Sequence, residues 1–326
     1  MYIVNLWCGR YHLERHQVGI ETYTLNSGYK IPAIGLGTWQ SGPNEVANAV
    51  EVALRAGYRH IDGAAIYGNE VEVGRGIAAS GVPREEIFLT SKLWNNNHRA
   101  ERVEKALDQT LSDLGVSYLD FAFKAGDDTF PRDEETGIVE LDREVTIQET
   151  WRALEEAVKK GKVRSIGRIE EILSFAESPP AVNQVESHPH LQQPELKKYL
   201  DEKKIILQAY SPLGNNLAGA PRVLDHPVVA KISKELGISA ARVLIQWAVQ
   251  RNTVVLPKSV TPERIIDNFK DFELPASAME ELNSLECNGR NGSPYGWGVD
   301  FWGEKGEEYV KEAAKKDGAA YLASKK

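Results

Sequence analysis

Short apolar runs alternate along the chain with longer stretches whose apolar positions recur every three or four residues. The runs at 34–36, 60–62, 88–91, 118–123, 163–166, 182–186, 205–209 and 254–257 read as eight β-strands. Between them, Val103, Ala106, Leu107, Thr110, Leu111 and Leu114 fall on one helical face, and Ile147, Trp151, Leu154 and Val158 on another. Near the start, Asn26-Ser27-Gly28 between the strand-like residues 23–25 and 30–31 signals a hairpin. Eight strands alternating with helices, with no linker, predict one (β/α)8 TIM barrel rather than a doubly wound sheet. Polar residues at the carboxyl ends of such strands share one face, and barrels of this kind keep their chemistry there.

Two connections are compressed. The fourth strand, 118–123, runs straight into Lys124-Ala125-Gly126-Asp127-Asp128 and carries no polar catalytic-type residue at its end. Only fifteen residues separate Ile166 from Val182, close to the minimum of about 12 for a complete crossover. A helix there, over 169–175, has room for barely two turns.

The composition narrows the class. Of 326 residues, 42% are hydrophobic and 26% charged, ordinary for a soluble protein with a sizeable core. The net charge of −8, with no basic block against it, argues against nucleic acid as a partner. Cys8 and Cys287 are the only cysteines and lie far apart, which fits a reducing cytoplasm and no disulfide framework. No apolar run approaches the ~18–20 residues of a membrane span. The first twenty residues place a short apolar patch before Arg10, His12, Glu14, Arg15 and His16, the wrong order for a signal peptide.

Candidate chemistry gathers at the strand ends. Asp62 and Tyr67 follow the second strand, and Lys92 ends the third. A phenol titrates at about 10 when unperturbed. A neighbouring ammonium favours the phenolate and lowers that value, and a carboxylate keeps the ammonium charged and in place. The trio is a tunable acid–base group; on residue types alone it also suits ordinary loop anchors. Further on, Thr261 is a candidate helix cap with Pro262 at the first helical position, and Lys258, Ser259 and Arg264 stand beside it. Two charges, a hydroxyl and a helix start suit a phosphate monoester, or a solvated helix start with incidental basic residues. Gly35-Leu36-Gly37 opens like a dinucleotide fingerprint, but Gln40 stands where the third glycine belongs. Gln184 and Tyr210, at the ends of the sixth and seventh strands, can bind a carboxamide and stack on a flat ring. His188 and His190 after Glu186 fit a loop better than a metal site, so no metal is expected.

Taken in order, these stretches resemble the aldo-keto reductase family, especially its fungal NADPH-dependent aldehyde and glycerol-type members. The resemblance rests on Ile31-Pro32-Ala33-Ile34-Gly35-Leu36-Gly37-Thr38-Trp39, Gly57-Tyr58-Arg59-His60-Ile61-Asp62, Ala65-Ile66-Tyr67-Gly68-Asn69-Glu70 and Ser91-Lys92-Leu93-Trp94. It continues in Ala181-Val182-Asn183-Gln184-Val185-Glu186, Tyr210-Ser211-Pro212-Leu213-Gly214 and Pro257-Lys258-Ser259-Val260-Thr261-Pro262. It implies an aldo-keto reductase-type barrel over 22–303, between a poorly specified extension, 1–21, and a tail, 304–326. It further implies NADP(H) bound without a Rossmann domain, with Tyr67 as proton donor, Lys92 as the partner that lowers its pKa and Asp62 as the anchor of Lys92. By the same resemblance, the cofactor would be held by Thr38, Gln184, Tyr210, Ser211, Leu213, Lys258, Ser259, Arg264 and Asn268. Trp39 and Trp94 would wall the pocket of a small carbonyl or alcohol substrate, in a monomeric cytoplasmic enzyme without membrane or nucleic-acid partners.

Two departures fall at the compressed connections. The family's histidine followed by Trp-Pro after the fourth strand is missing, and no histidine occurs between His98 and His188. The family's Ser-Asn after the fifth strand is also absent, since Ser165-Ile166-Gly167 passes directly to Arg168-Ile169-Glu170. Both read as shortened segments, belonging either to a genuinely shorter paralogue or to a sequence that omits pieces. Two functions follow from this: a reductase of aldehydes or ketones with an impaired site, or a non-catalytic NADPH-binding barrel that acts through a protein partner.

Overall fold

The computed structural model describes residues 21–42, 44–93, 99–123, 132–138, 146–164, 170–214, 221–291 and 306–324. The chain opens with the predicted hairpin, β1 (Thr22–Thr24) against β2 (Lys30–Pro32), with Tyr23 opposite Ile31. Leu25 and Ile31 pack with Phe88, Val182 and Val254. Those three begin later strands, so the hairpin plugs one end of the sheet and leaves the carboxyl ends open.

Strands and helices then alternate: β3 (Leu36–Gly37), α1 (Glu45–Ala56), β4 (His60–Asp62), α2 (Glu70–Ser80), β5 (Phe88–Lys92), α3 (Ala100–Leu114), β6 (Phe121–Phe123), α4 (Ile147–Lys159) and α5 (Glu170–Leu173). The second half adds β7 (Val182–Glu186), α6 (Pro194–Glu202), β8 (Ile206–Tyr210), α7 (Pro227–Leu236), α8 (Ala240–Val249), β9 (Val254–Val255), α9 (Pro262–Asn268), α10 (Ala276–Asn283) and α11 (Glu307–Ser324). Two parallel sheets result, β3-β4-β5-β6 and β7-β8-β9. Isolated parallel bridges from Ile34 to Val255 and from Gly37 to Lys258 bring β9 beside β3, and Leu119 bridges Val163 beyond β6. Parallel pairing, helices outside and this closing seam make the fold a (β/α)8 barrel.

Helices α3 and α4 each lay an apolar stripe on the barrel. In α3 the buried positions are Val103, Leu107, Thr110, Leu111 and Leu114, the stripe expected from the spacing. In α4, Trp151, Leu154 and Ala157 are buried. Its start is fixed by a capping box: Glu149 N–H donates to Thr146 Oγ1, and Thr146 N–H donates to Glu149 Oε2. The connection after the fourth strand of the barrel leaves the described residues at 124–131, and α5, after the fifth, has four residues. The predicted fifth strand, 163–166, is represented by the Val163 bridge, and its remainder and the exit at 165–169 lie outside the described residues.

The stretch 304–326, expected only as a tail, forms α11 and buries Val310, Ala314 and Gly318. The helix is fastened to residues 132–138. Arg132 pairs with Asp317 at 2.7 Å, and its guanidinium lies 4.5 Å from the centre of the Tyr321 ring. Gly137 and Gly318 meet so closely that a Cβ on Gly137 would stand 2.5 Å from the Gly318 carbonyl oxygen. No helix among the described residues is long and apolar enough to cross a membrane.

Candidate active site

Parallel register brings the predicted trio together. Asp62 ends β4 and stands opposite Thr90, two residues before Lys92 closes β5. Tyr67 ends a single 3-10 turn, Ala65–Tyr67, just past β4. Lys92 Nζ donates to Asp62 Oδ1 at 2.5 Å and to the Gly63 carbonyl at 2.8 Å. The same ammonium lies 5.2 Å from the centre of the Tyr67 ring. Asp62 is 3% exposed, so the ion pair works with little solvent screening. Its second oxygen accepts from Gln184 Nε2 at 2.8 Å, a bond that links the two sheets.

The electrostatics differ in one respect from the expectation for Tyr67. Lys92 does pull the phenol's pKa down, but burial outweighs it, and the value stands above the ordinary tyrosine range. For Lys92 burial acts to lower the ammonium pKa, yet the Asp62 carboxylate and the Tyr67 phenol raise it on balance. Near neutral pH the site therefore holds a protonated phenol beside a charged ammonium.

The remaining predicted residues spread along the open rim. Thr38 is buried and donates its hydroxyl to the Asp62 carbonyl at 3.0 Å. Tyr210 ends β8 opposite Glu186, and burial, with Glu186 beside it, pushes its phenol up to about 12. Ser211 turns the chain at a φ of 49°, and Leu213 packs into the apolar cluster of the second half. Lys258 is exposed and donates to the Gln40 carbonyl at 3.0 Å. Arg264 is exposed, whereas Asn268 at the end of α9 is buried. Trp39 is 44% exposed, and Trp94 lies outside the described residues.

One cap differs from expectation. Thr261 does occupy the N-cap position of α9 with Pro262 next, but its side chain accepts no hydrogen bond. Ser259 Oγ instead accepts from the Thr261 N–H at 3.1 Å. Two buried clusters went unread in the sequence. Glu70 accepts from Ser91 Oγ at 2.5 Å and from Thr110 Oγ1 at 3.1 Å, and burial raises its carboxyl to about 7. Glu186 pairs with His188 at 2.9 Å and accepts from the Asn291 N–H at 2.9 Å. His188 thus serves as a buried partner of Glu186, behind Tyr210.

The sequence model of the Aldo/keto reductase family matches residues 33–286. The chain belongs to the aldo/keto reductase family. An uncharacterized oxidoreductase of Schizosaccharomyces pombe is 45% identical over 288 residues, covering 82% of this chain and 89% of that protein. A D/L-glyceraldehyde reductase of Hypocrea jecorina is 42% identical over 323 residues, covering 90% of this chain and 97% of that protein. Among solved structures, an aldose reductase from Schistosoma japonicum superposes with a TM-score of 0.77 at 39% identity, over 84% of this chain and 95% of the other. As an aldo/keto reductase the chain is an oxidoreductase of the carbonyl-reducing type, on the (β/α)8 barrel drawn from its strand order.

Proposed function

We propose that the protein reduces an aldehyde or a ketone to an alcohol with NADPH, and that Tyr67 supplies the proton. The observation that carries this reading is the buried Asp62–Lys92 pair beside the Tyr67 ring, at the open end of the barrel. Asp62 and Lys92 are fixed to each other, to the Gly63 carbonyl and to Gln184 by bonds of 2.5 to 2.8 Å, with the Tyr67 ring 5.2 Å from the ammonium.

The rim fits a dinucleotide phosphate. Gln184 spends its amide nitrogen on Asp62, and its amide oxygen has no partner among the described residues, so it remains an acceptor for a carboxamide N–H. Tyr210, half-buried beside it, offers a flat ring face. Thr38, Ser211 and Leu213 line the same rim. Lys258, Ser259 and the exposed Arg264 would hold the 2′-phosphate that distinguishes NADPH from NADH. Asn268 would stand near the adenine, with only its 5% exposed surface to offer.

The bound cofactor supplies the hydride. The residues supply the rest: Tyr67 donates to the carbonyl oxygen and gives up its proton as negative charge develops there. Lys92 stabilises the phenolate that remains, and Asp62 holds Lys92 charged and in place. Trp39 and Trp94 wall the substrate. With no histidine after the fourth strand, Tyr67 is the one strong donor to that oxygen among the described residues, and turnover is correspondingly slow. The working unit is 22–303 with α11 of the 304–326 stretch fastened to it, preceded by the 1–21 extension, in a monomer of the reducing cytoplasm.

Replacing Tyr67 with phenylalanine keeps the ring and removes the transferable proton. Carbonyl reduction should fall by at least about 10²-fold while NADPH affinity stays within about two-fold. Undiminished turnover would show that Tyr67 is not the acid. A wild-type protein that binds NADPH and reduces no member of a broad aldehyde panel would favour the non-catalytic, partner-dependent reading.

A further inference from the structure

Glu70 opens α2 three residues after Tyr67, and its side chain is 6% exposed. One of its oxygens accepts from Ser91 Oγ and the other from Thr110 Oγ1, at 2.5 and 3.1 Å. Ser91, 1% exposed, directly precedes Lys92 in β5, and Thr110 lies on α3. A single carboxylate thus joins the segment that follows Tyr67, the strand that ends in Lys92 and an outer helix. It forms no ion pair among the described residues. The charged groups that act on it are Lys92 from β5, which favours the carboxylate, and Asp113 from α3, which opposes it. Burying a carboxylate on hydroxyl partners alone is costly. A carboxylate is also the kind of side chain that accepts from two hydroxyls at once without bringing a donor of its own.

We propose that Glu70 is a positioning residue: through Ser91 it holds the Lys92 end of β5 against the turn that carries Tyr67, and so sets the geometry between ammonium and phenol. This rests on the reading of Tyr67 as proton donor and deepens it. The two bonds to Glu70 are alike in type and burial, yet they lead to different places. The Ser91 bond acts on the residue next to Lys92, whereas the Thr110 bond steadies Glu70 from behind. A purely structural role would make them equivalent. A positioning role makes them unequal, because displacing a reacting group by about 1 Å can cost ~10²-fold in rate.

Ser91→Ala and Thr110→Val each remove one donor to Glu70 and test that inequality. The readouts are kcat and KM with saturating NADPH and D/L-glyceraldehyde as the probe. A third is the ionisation of Tyr67, followed as the alkaline ultraviolet difference between each protein and its Tyr67→Phe counterpart. Ser91→Ala should lower kcat roughly ten-fold or more with KM within about three-fold. It should also move the Tyr67 ionisation upward, since the ammonium that pulls it down has drifted. Thr110→Val should change kcat by no more than about two-fold and leave the ionisation in place. Glu70→Leu should reproduce Ser91→Ala. Glu70→Gln keeps an acceptor for Ser91 and should hold kcat within about three-fold of wild type. Equal kcat losses in Ser91→Ala and Thr110→Val, or a Tyr67 ionisation unmoved by Ser91→Ala, would overturn the assignment. The ultraviolet titration needs no turnover, so it decides on Glu70 even if the Tyr67→Phe test has overturned the catalytic reading.

Discussion

The two ends of the proposed cofactor site are built in opposite ways. At the chemical end, Asp62 is 3% exposed and receives bonds from Lys92 and Gln184 at 2.5 and 2.8 Å. At the phosphate end, Lys258 and Arg264 stand in solvent, and among the described residues Lys258 makes one bond, to the Gln40 carbonyl. The first end bears its desolvation cost during folding, whether or not a ligand arrives. The second, exposed to solvent, bears little such cost. Proton transfer needs fixed geometry more than it needs affinity, and recognition of a phosphate tolerates flexible donors. Errors at the two ends should therefore show up in different measurements: stability and turnover at one, cofactor affinity alone at the other.

The sharpest way to break that contrast is Asp62→Leu. It strands the Lys92 ammonium in a buried site, and removing one partner of such a pair costs about 3–5 kcal/mol. Urea unfolding should register the loss without any cofactor; an unchanged midpoint would mean the chemical end is not prebuilt. Next comes the pH dependence of Glu70→Gln. The Glu70 carboxyl is raised from 4.5 to about 7 in the folded chain, so its contribution to stability is fully present below 4.5 and is lost as pH rises through about 7. The glutamine variant lacks this loss. Its melting temperature should gain on wild type between pH 5 and pH 8, by an amount equivalent to about 3 kcal/mol at most. A pH-independent gap would rule out the titration. Smallest is Arg264→Ala, which should weaken NADPH about ten-fold, roughly 1.4 kcal/mol, and leave NADH and the unfolding midpoint unchanged. Equal losses for both cofactors in a fluorescence titration would show that Arg264 does not read the 2′-phosphate.

Legibility in the sequence followed the same divide only in part. Asp62, Tyr67 and Lys92 could be read because each sits just past an apolar run, where a strand ends, and their types match one chemistry. The barrel could be read because strand runs and helical stripes alternate along the chain. The Glu70–Ser91–Thr110 cluster could not. Its members are 21 and 40 residues apart, lie on three different elements, and are of types common on any surface. The Gln184–Asp62 bond spans 122 residues, and only the closed register of the two sheets creates it. The net rise of the Tyr67 pKa also escaped, because a neighbouring ammonium is visible in a sequence and burial is not. Helix α11 was hidden for another reason. Its buried positions, Val310, Ala314 and Gly318, are too small to form an apolar stripe, and their partner segment is a polar loop.

That last helix sets a timetable for the newly made chain. Arg132 must wait for Asp317, 185 residues later. At synthesis rates of about 5–20 residues per second this is a delay of roughly 10–40 s. The close contact of Gly137 with Gly318 is postponed in the same way. Through that interval residues 132–138 are without their partner helix. Residues 132–138 thus gain their fastening to α11 long after Asp62, Tyr67 and Lys92 have been made.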